Sequence, residues 1–250
     1  MRKLNPAREC ASDIVAAGFN PSSLIVDLER EASRISLRGI DQLTHVEQLR
    51  LHGDARIMDA PEDPLPALSD LMMTFEPTST PKLCQTSSLR FLELHQPPQE
   101  TRGLVSPGLR SISLYFGKTI ELSGWPVQMD SIEIERCGKL IVTEELEARP
   151  SEMSLTSISV VTGLPRTSRL SPFNLLYLSG IRSLGTQESL WDIEAERTVV
   201  EFARQPPKWL LEQWPHRPKD WANHVRVPPH RALEGSFEQD SPEGDPSEPQ

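Results

Sequence analysis

One short pattern recurs along the middle of the chain. An aliphatic residue is followed after two positions by a second, and after one more position by a third. Phe and Met count as permitted. Val46, Leu49 and Leu51 match it, as do Leu68, Leu71 and Met73. Then come Leu89, Leu92, Leu94; Leu109, Ile112, Leu114; and Met129, Ile132, Ile134. Leu155, Ile158, Val160 and Phe173, Leu176, Leu178 complete the series. Successive starts lie 22, 21, 20, 20, 26 and 18 residues apart. A weaker match at Ala32, Ile35, Leu37 sits 14 residues before Val46, and Leu170, Phe173, Leu175 is a match off the register. Aliphatic residues are common, so the even spacing carries the reading rather than the count. The last two positions of each match alternate, as a short strand with one buried face requires. About 20 residues hold one strand, one turn and a return stretch. A single unit cannot bury its apolar side, whereas stacked units share a continuous core. The return stretches carry Pro61, Pro64, Pro66, Pro77, Pro81, Pro97, Pro98, Pro107-Gly108 and Pro165. Proline there disfavours helix and predicts loops or extended chain on the convex side.

The flanks read differently. Asn5-Pro6 opens a predicted helix whose apolar face is Ile14, Val15 and small alanines, and Gly18 with Asn20-Pro21 ends it. A second amphipathic helix is expected after Pro21, with Leu24, Ile25, Leu28 and Ala32 on one side. Residues 1–34 are therefore read as an N-terminal helical cap and 35–186 as the solenoid. Residues 187–204 read as another amphipathic helix with Leu190, Ile193, Val200 and Trp191 inward. Four of the five tryptophans lie between 191 and 221, so 187–231 is expected to cap the far end. A partner-docking role for that tryptophan cluster is the alternative. Residues 232–250 are acidic and rich in Pro, Ser and Gly, which predicts a disordered tail.

Over residues 32–184 the repeat resembles the leucine-rich repeat family, whose consensus runs L-x-x-L-x-L-x-x-N/C-x-L. Met129, Ile132 and Ile134 are followed by Cys137 at the Asn/Cys position and by Leu140 one place late. Val46, Leu49 and Leu51 are followed by Asp54 and Ile57. Elsewhere the Asn/Cys position holds Glu76, Pro97, Gly117, Gly163 and Ile181. Without an asparagine ladder each turn must satisfy its backbone groups in another way. The resemblance implies an α/β fold: an irregular leucine-rich-repeat-like solenoid of short parallel strands with helical caps at both ends.

Charge narrows the function. The 250 residues carry a formal net charge of -10. Duplex DNA is thus an unsuitable partner, because a phosphate-binding surface needs a basic stripe. His216-Arg217-Pro218-Lys219 is only a local basic patch, a faint basis for RNA binding. No apolar run has the length of a membrane span, and the N-terminal segment lacks the apolar core of a secretory signal. Cys10, Cys84 and Cys137 are odd in number and far apart, which suggests reduced thiols, and a cytoplasmic location is expected.

In a stacked-strand fold the positions between the aliphatic ones form outward columns. One column reads Arg50, Met72, Glu93, Ser113, Glu133, Ser159, Tyr177. The next reads His52, Thr74, His95, Tyr115, Glu135, Val161, Ser179, and a third adds Asp70 and Phe91. Strands stack just under about 5 Å apart, so His95, Tyr115 and Glu135 should be neighbours, as should Glu93, Ser113 and Glu133. Aromatics favour a protein-binding surface, and the acids suit a rim or a basic partner. The expected binding residues are His52, Phe91, Glu93, His95, Tyr115, Glu133, Glu135 and Tyr177. His52 and His95 fall two strands apart, too far to share one ion, so no metal and no cofactor is expected. The sequence holds no GxSxG elbow, no phosphate-binding glycine loop, no HExxH and no acidic calcium loop. Glu144, Glu145 and Glu147 form a charge run that reads as solvated. A non-enzymatic interaction module, such as an adaptor, a recognition subunit or an immunity-type inhibitor, is the expected function. A hydrolase using a carboxylate and a histidine on the strand face is the alternative.

Overall fold

The structure is a computed structural model. It describes residues 2–4, 14, 16–27, 34–37, 39–52, 56–59, 65–74, 81–84, 86–102, 106–124, 128–143, 149–170, 172–185 and 188–234. The strands in chain order are β1 (Arg2–Leu4), β2 (Ser23–Asp27), β3 (Arg34–Ser36), β4 (Gln48–His52), β5 (Arg56–Asp59) and β6 (Asp70–Met73). There follow β7 (Phe91–Leu94), β8 (Ser111–Tyr115), β9 (Thr119–Leu122), β10 (Gln128–Glu135), β11 (Lys139–Val142) and β12 (Arg149–Thr156). The last are β13 (Val160–Thr162), β14 (Phe173–Ser179), β15 (Ser183–Leu184), β16 (Ala195–Glu201) and β17 (Val225–Arg226).

Eleven of these form one parallel sheet in the order β1-β2-β4-β6-β7-β8-β10-β12-β14-β16-β17. A second parallel sheet, β15-β13-β11-β9, is built from the return stretches. The chain is a parallel-strand solenoid. Alternation explains each rung of the long sheet. Leu49 and Leu51, Leu92 and Leu94, Ile112 and Leu114, and Ile132 and Ile134 are all buried, while the residues between them are not. Ile120, Leu122, Leu140, Val142 and Val161 of the second sheet close the same core from the other side.

Between the two sheets the chain turns through a three-residue corner. Its first residue has positive φ at Phe116 (60°), Arg136 (56°), Ser157 (56°) and Gly180 (63°). The N–H of each donates to the neighbouring rung: Phe116 to Glu135 O (3.1 Å), Arg136 to Thr156 O (3.0 Å), Ser157 to Ser179 O (2.8 Å) and Gly180 to Glu201 O (3.3 Å). The second corner residue, Gly117, Cys137, Ile158 or Ile181, is buried. A backbone ladder thus satisfies the turns where an asparagine ladder is missing.

Several expectations need correction. The segment after Pro21 is strand β2, not a helix, because Leu24 and Val26 pair with Leu49 and Leu51 of β4. The unit before Val46 is therefore this one, and Ile35 of the Ala32 match lies in β3, paired to β5 in a separate two-stranded sheet. Leu155, Ile158, Val160 is out of register: Met153 and Leu155 pair with Ile132 and Ile134, Ile158 is a corner and Val160 opens β13. The true rung starts at Pro150, which removes the uneven intervals of 26 and 18. Ser154 and Thr156 accordingly replace Ser159 and Val161 in the outward columns, and Val161 is in the core. The helix expected over 187–204 is a single 3-10 turn, Leu190–Asp192, followed by β16, which β14 pairs along its length. Besides Ile14 and Ala16, which are helical, the α-helices of the described residues are four short ones, Pro81–Cys84, Leu164–Leu170, Lys208–Gln213 and Arg231–Glu234, too few to alternate with strands. Leu164–Leu170 is helical despite Pro165, which occupies its first turn, where no N–H is needed. Arg231–Glu234 also trims the expected tail, since Leu233 is buried and its carbonyl accepts from Trp214 Nε1 at 2.7 Å. The remaining tail, 235–250, most of the first predicted helix and the run Glu144, Glu145, Glu147 lie outside the described residues. No helix among the described residues is long and apolar enough to cross a membrane.

Candidate functional site

The long sheet presents three outward columns whose register is set by the pairing. From β4 to β14 the central one is Arg50, Met72, Glu93, Ser113, Glu133, Ser154, Tyr177. Phe91 stands opposite Asp70 and Ser111 in the first column. Glu135 stands opposite Tyr115 and Thr156 in the third.

Side chains on β7, β8 and β10 converge. His95 Nε2 lies 2.7 Å from Glu93 Oε1, the two being two residues apart on one strand face. The His95 and Tyr115 rings are 5.1 Å apart. Tyr115 donates its hydroxyl to Glu133 Oε2 at 3.0 Å, and Ser113 donates to the same oxygen at 3.1 Å. Burial, and after it the Glu133 carboxylate at its hydroxyl, pushes the Tyr115 phenol up to about 12. Tyr115 is therefore a fixed neutral donor at any physiological pH. Glu135 pairs with Arg136 Nε at 3.1 Å.

Phe116 adds a feature that the alternating pattern hides. Its ring is 6.0 Å from His95 and 6.5 Å from Tyr115, and the Arg136 guanidinium sits 5.3 Å above it. Phe116 and Phe91 are each 51% exposed, large apolar rings held in water at the border of the acidic cluster. Beside Phe91 a hollow of about 190 Å³ is lined by Arg50, Asp70, Met72, Phe91, Glu93 and Ser113.

Of the eight expected residues, the structure gathers Glu93, His95, Tyr115, Glu133 and Glu135, with Phe91 at the edge. His52 lies two strands from His95, since β6 separates β4 from β7. Tyr177 lies three strands from Tyr115 and bonds instead to Glu201, whose carboxylate raises its phenol pKa. Among the described residues no group of His, Cys, Asp or Glu is arranged to hold a metal ion. Cys84 and Cys137 are free and buried, and burial pushes the Cys84 thiol up to about 12, so neither is a nucleophile at neutral pH. Cys10 lies outside the described residues. No protein-family model, curated protein or solved structure matches the chain.

Proposed function

We propose that this chain is a non-enzymatic interaction module, a divergent solenoid of the leucine-rich-repeat kind whose strand face binds another protein. The observation that carries the reading is the pair of exposed rings, Phe91 and Phe116, bordering a face that holds Glu93, Glu133 and Glu135. Aromatic anchors desolvate on binding and dominate interface energetics, while carboxylates around them steer a partner of opposite charge. The partner is thus expected to present a basic surface. The hydrogen bonds that tie Tyr115 and Ser113 to Glu133 fix the face before binding, which lowers the ordering cost. The repeat spacing and the aliphatic pairs of each rung support the family resemblance. The buried corner residues Gly117, Ile158 and Ile181 depart from its consensus.

The test is affinity capture at low and high salt, then titration of the purified partner against variants. A bait with Glu93, Glu133 and Glu135 changed to Lys should lose the partner. For the unaltered bait, raising salt should weaken capture, because exposed charges are screened. Phe91→Ala with Tyr115→Ala should cost at least about 2 kcal/mol of binding. Unchanged affinity in both variants refutes this placement.

A hydrolase reading rests on the Glu93–His95 contact alone. The hollow next to it is lined by Glu93 but not by His95 or Glu133, so this hollow does not enclose acid and base together. Turnover of model esters that disappears in His95→Ala would restore that reading.

A further inference from the structure

A second recess lies at the far end of the solenoid, away from the strand-face cluster. It measures about 470 Å³ and its walls include Trp191, Trp221, Ile193, Pro172, Val225 and Ala195. Three carboxylates, Glu194, Glu196 and Asp220, stand on its lining against one basic side chain, His224. Among the described residues none of these carboxylates is paired with a cation.

The walls are held in place. Trp191 donates its indole N–H to Gln213 O at 3.0 Å and packs edge-on to Trp221 with ring centres 6.3 Å apart. Gln213 also accepts from Leu190 N (2.8 Å) and donates to Glu188 O (2.9 Å). Glu194 N donates to the buried Ser168 hydroxyl at 2.9 Å, and His224 O accepts from Thr198 N at 2.7 Å. Trp214 packs behind both rings, at 6.0 Å from Trp191 and 4.8 Å from Trp221. Trp214 already carries the Arg217 guanidinium 4.9 Å from its ring centre, so one face of this tryptophan cluster is occupied by a cation of the chain itself. Trp191 and Trp221 turn toward the recess.

We propose that this recess binds a small organic cation. An alkylated ammonium would sit against the Trp191 and Trp221 rings, its apolar body on Ile193, Pro172 and Val225, with Glu194, Glu196 and Asp220 offsetting its charge. Indole rings attract cations through their quadrupole, and the attraction grows as the ion is desolvated. The volume is that of a site for a whole small molecule rather than for a head group alone. An anion would meet three carboxylates, and a neutral apolar molecule would leave them without a counter-charge. The site is independent of the strand-face reading.

The test uses the full chain and a matched pair of probes. One is 4-(hydroxymethyl)phenyltrimethylammonium, and the other is its neutral carbon isostere, 4-tert-butylbenzyl alcohol. Binding is read by calorimetry and by tryptophan fluorescence. The cation should bind at least about tenfold more tightly than its isostere, a difference of 1.4 kcal/mol. Changing Glu194 and Glu196 together to Gln should remove that preference, and Trp221→Ala should weaken the cation about tenfold, while Trp221→Phe retains most of the affinity. Phe91→Ala, on the strand face, should leave it unchanged. Equal affinity for the two probes overturns the proposal. So does the absence of saturable binding, or full binding by a folded Trp221→Ala protein.

Discussion

Tyr115 shows how one side chain organises the strand face. Its hydroxyl donates to Glu133 at 3.0 Å while its ring packs at 5.1 Å from His95. Ionising it would place a phenolate in a half-buried position beside a carboxylate, and so its pKa rises to about 12. A group whose pKa is higher folded than unfolded stabilises the fold below its unfolded pKa, near 10 for tyrosine. That stability disappears as pH climbs through about 12. The chain has two tyrosines, so Tyr177→Phe leaves Tyr115 as the sole phenol. Phenolate absorbance of that variant should then titrate near 12, and Glu133→Gln should bring the midpoint down toward the ordinary value. A midpoint indifferent to Glu133 would mean the carboxylate does not face the phenol.

At the scale of the element, the corner sets both shape and cost. Each corner opens with a left-handed residue, and for a residue other than glycine this costs about 1–2 kcal/mol. Phe116, Arg136 and Ser157 bear that cost, and Gly180 does not. Gly180→Ala should therefore lower stability by about 1 kcal/mol, because its new Cβ meets only ordinary contacts with Ser157 at 3.5 Å. Gly163→Ala should lose clearly more. Its φ is +93° and its Cβ would stand 1.8 Å from Val142 O, which is backbone and cannot yield. Denaturant midpoints of the two variants check this order.

The same corner explains what could be read in advance. Rungs were legible wherever aliphatic residues alternate, since that pattern is local to each strand. The pattern misleads at Leu155 because a buried corner, Ile158, and a second strand, opened by Val160, mimic the same spacing. Phe116 was invisible for a related reason. Strict alternation from Tyr115 would point residue 116 into the core, whereas the left-handed corner turns it out to water. β2 and β16 read as helix from sequence because Leu24, Ile25, Leu28 and Leu190, Ile193, Val200 also fit a helical stripe. Short apolar segments are ambiguous by period alone, and β4 and β14, which supply their hydrogen bonds, are remote in sequence. The cluster of Glu93, His95, Tyr115, Glu133 and Glu135 followed from stacking the columns, but the pairings within it depend on rotamers that spacing does not encode.

The whole molecule is a stack, so its stability is set by contacts between neighbouring rungs and by what covers the ends. At the C-terminal end the chain closes both sheets. β17 adds two residues to the edge of β16, and the Lys208–Gln213 helix packs on β15. Trp209 anchors that helix: it is nearly buried, and its indole N–H donates to Ile181 O at 3.0 Å, on the last corner. Trp209→Ala should cost about 3–5 kcal/mol, as for other buried aromatic truncations. Its effect should also be local. In a nearest-neighbour stack the loss of an end contact frees adjacent rungs first, so amide exchange should accelerate in β14, β15 and β16 while β7 and β8 stay protected. The uncovered edge of β15 would then be a template for pairing with a second chain, so light scattering should reveal association of this variant. Ile132→Ala, deep in the middle, should destabilise by about 2–5 kcal/mol without that association, since both its neighbouring strands, β8 and β12, remain in place. Uniform acceleration of exchange along the chain in Trp209→Ala would show instead that the rungs unfold as one cooperative unit and that the end has no separate role.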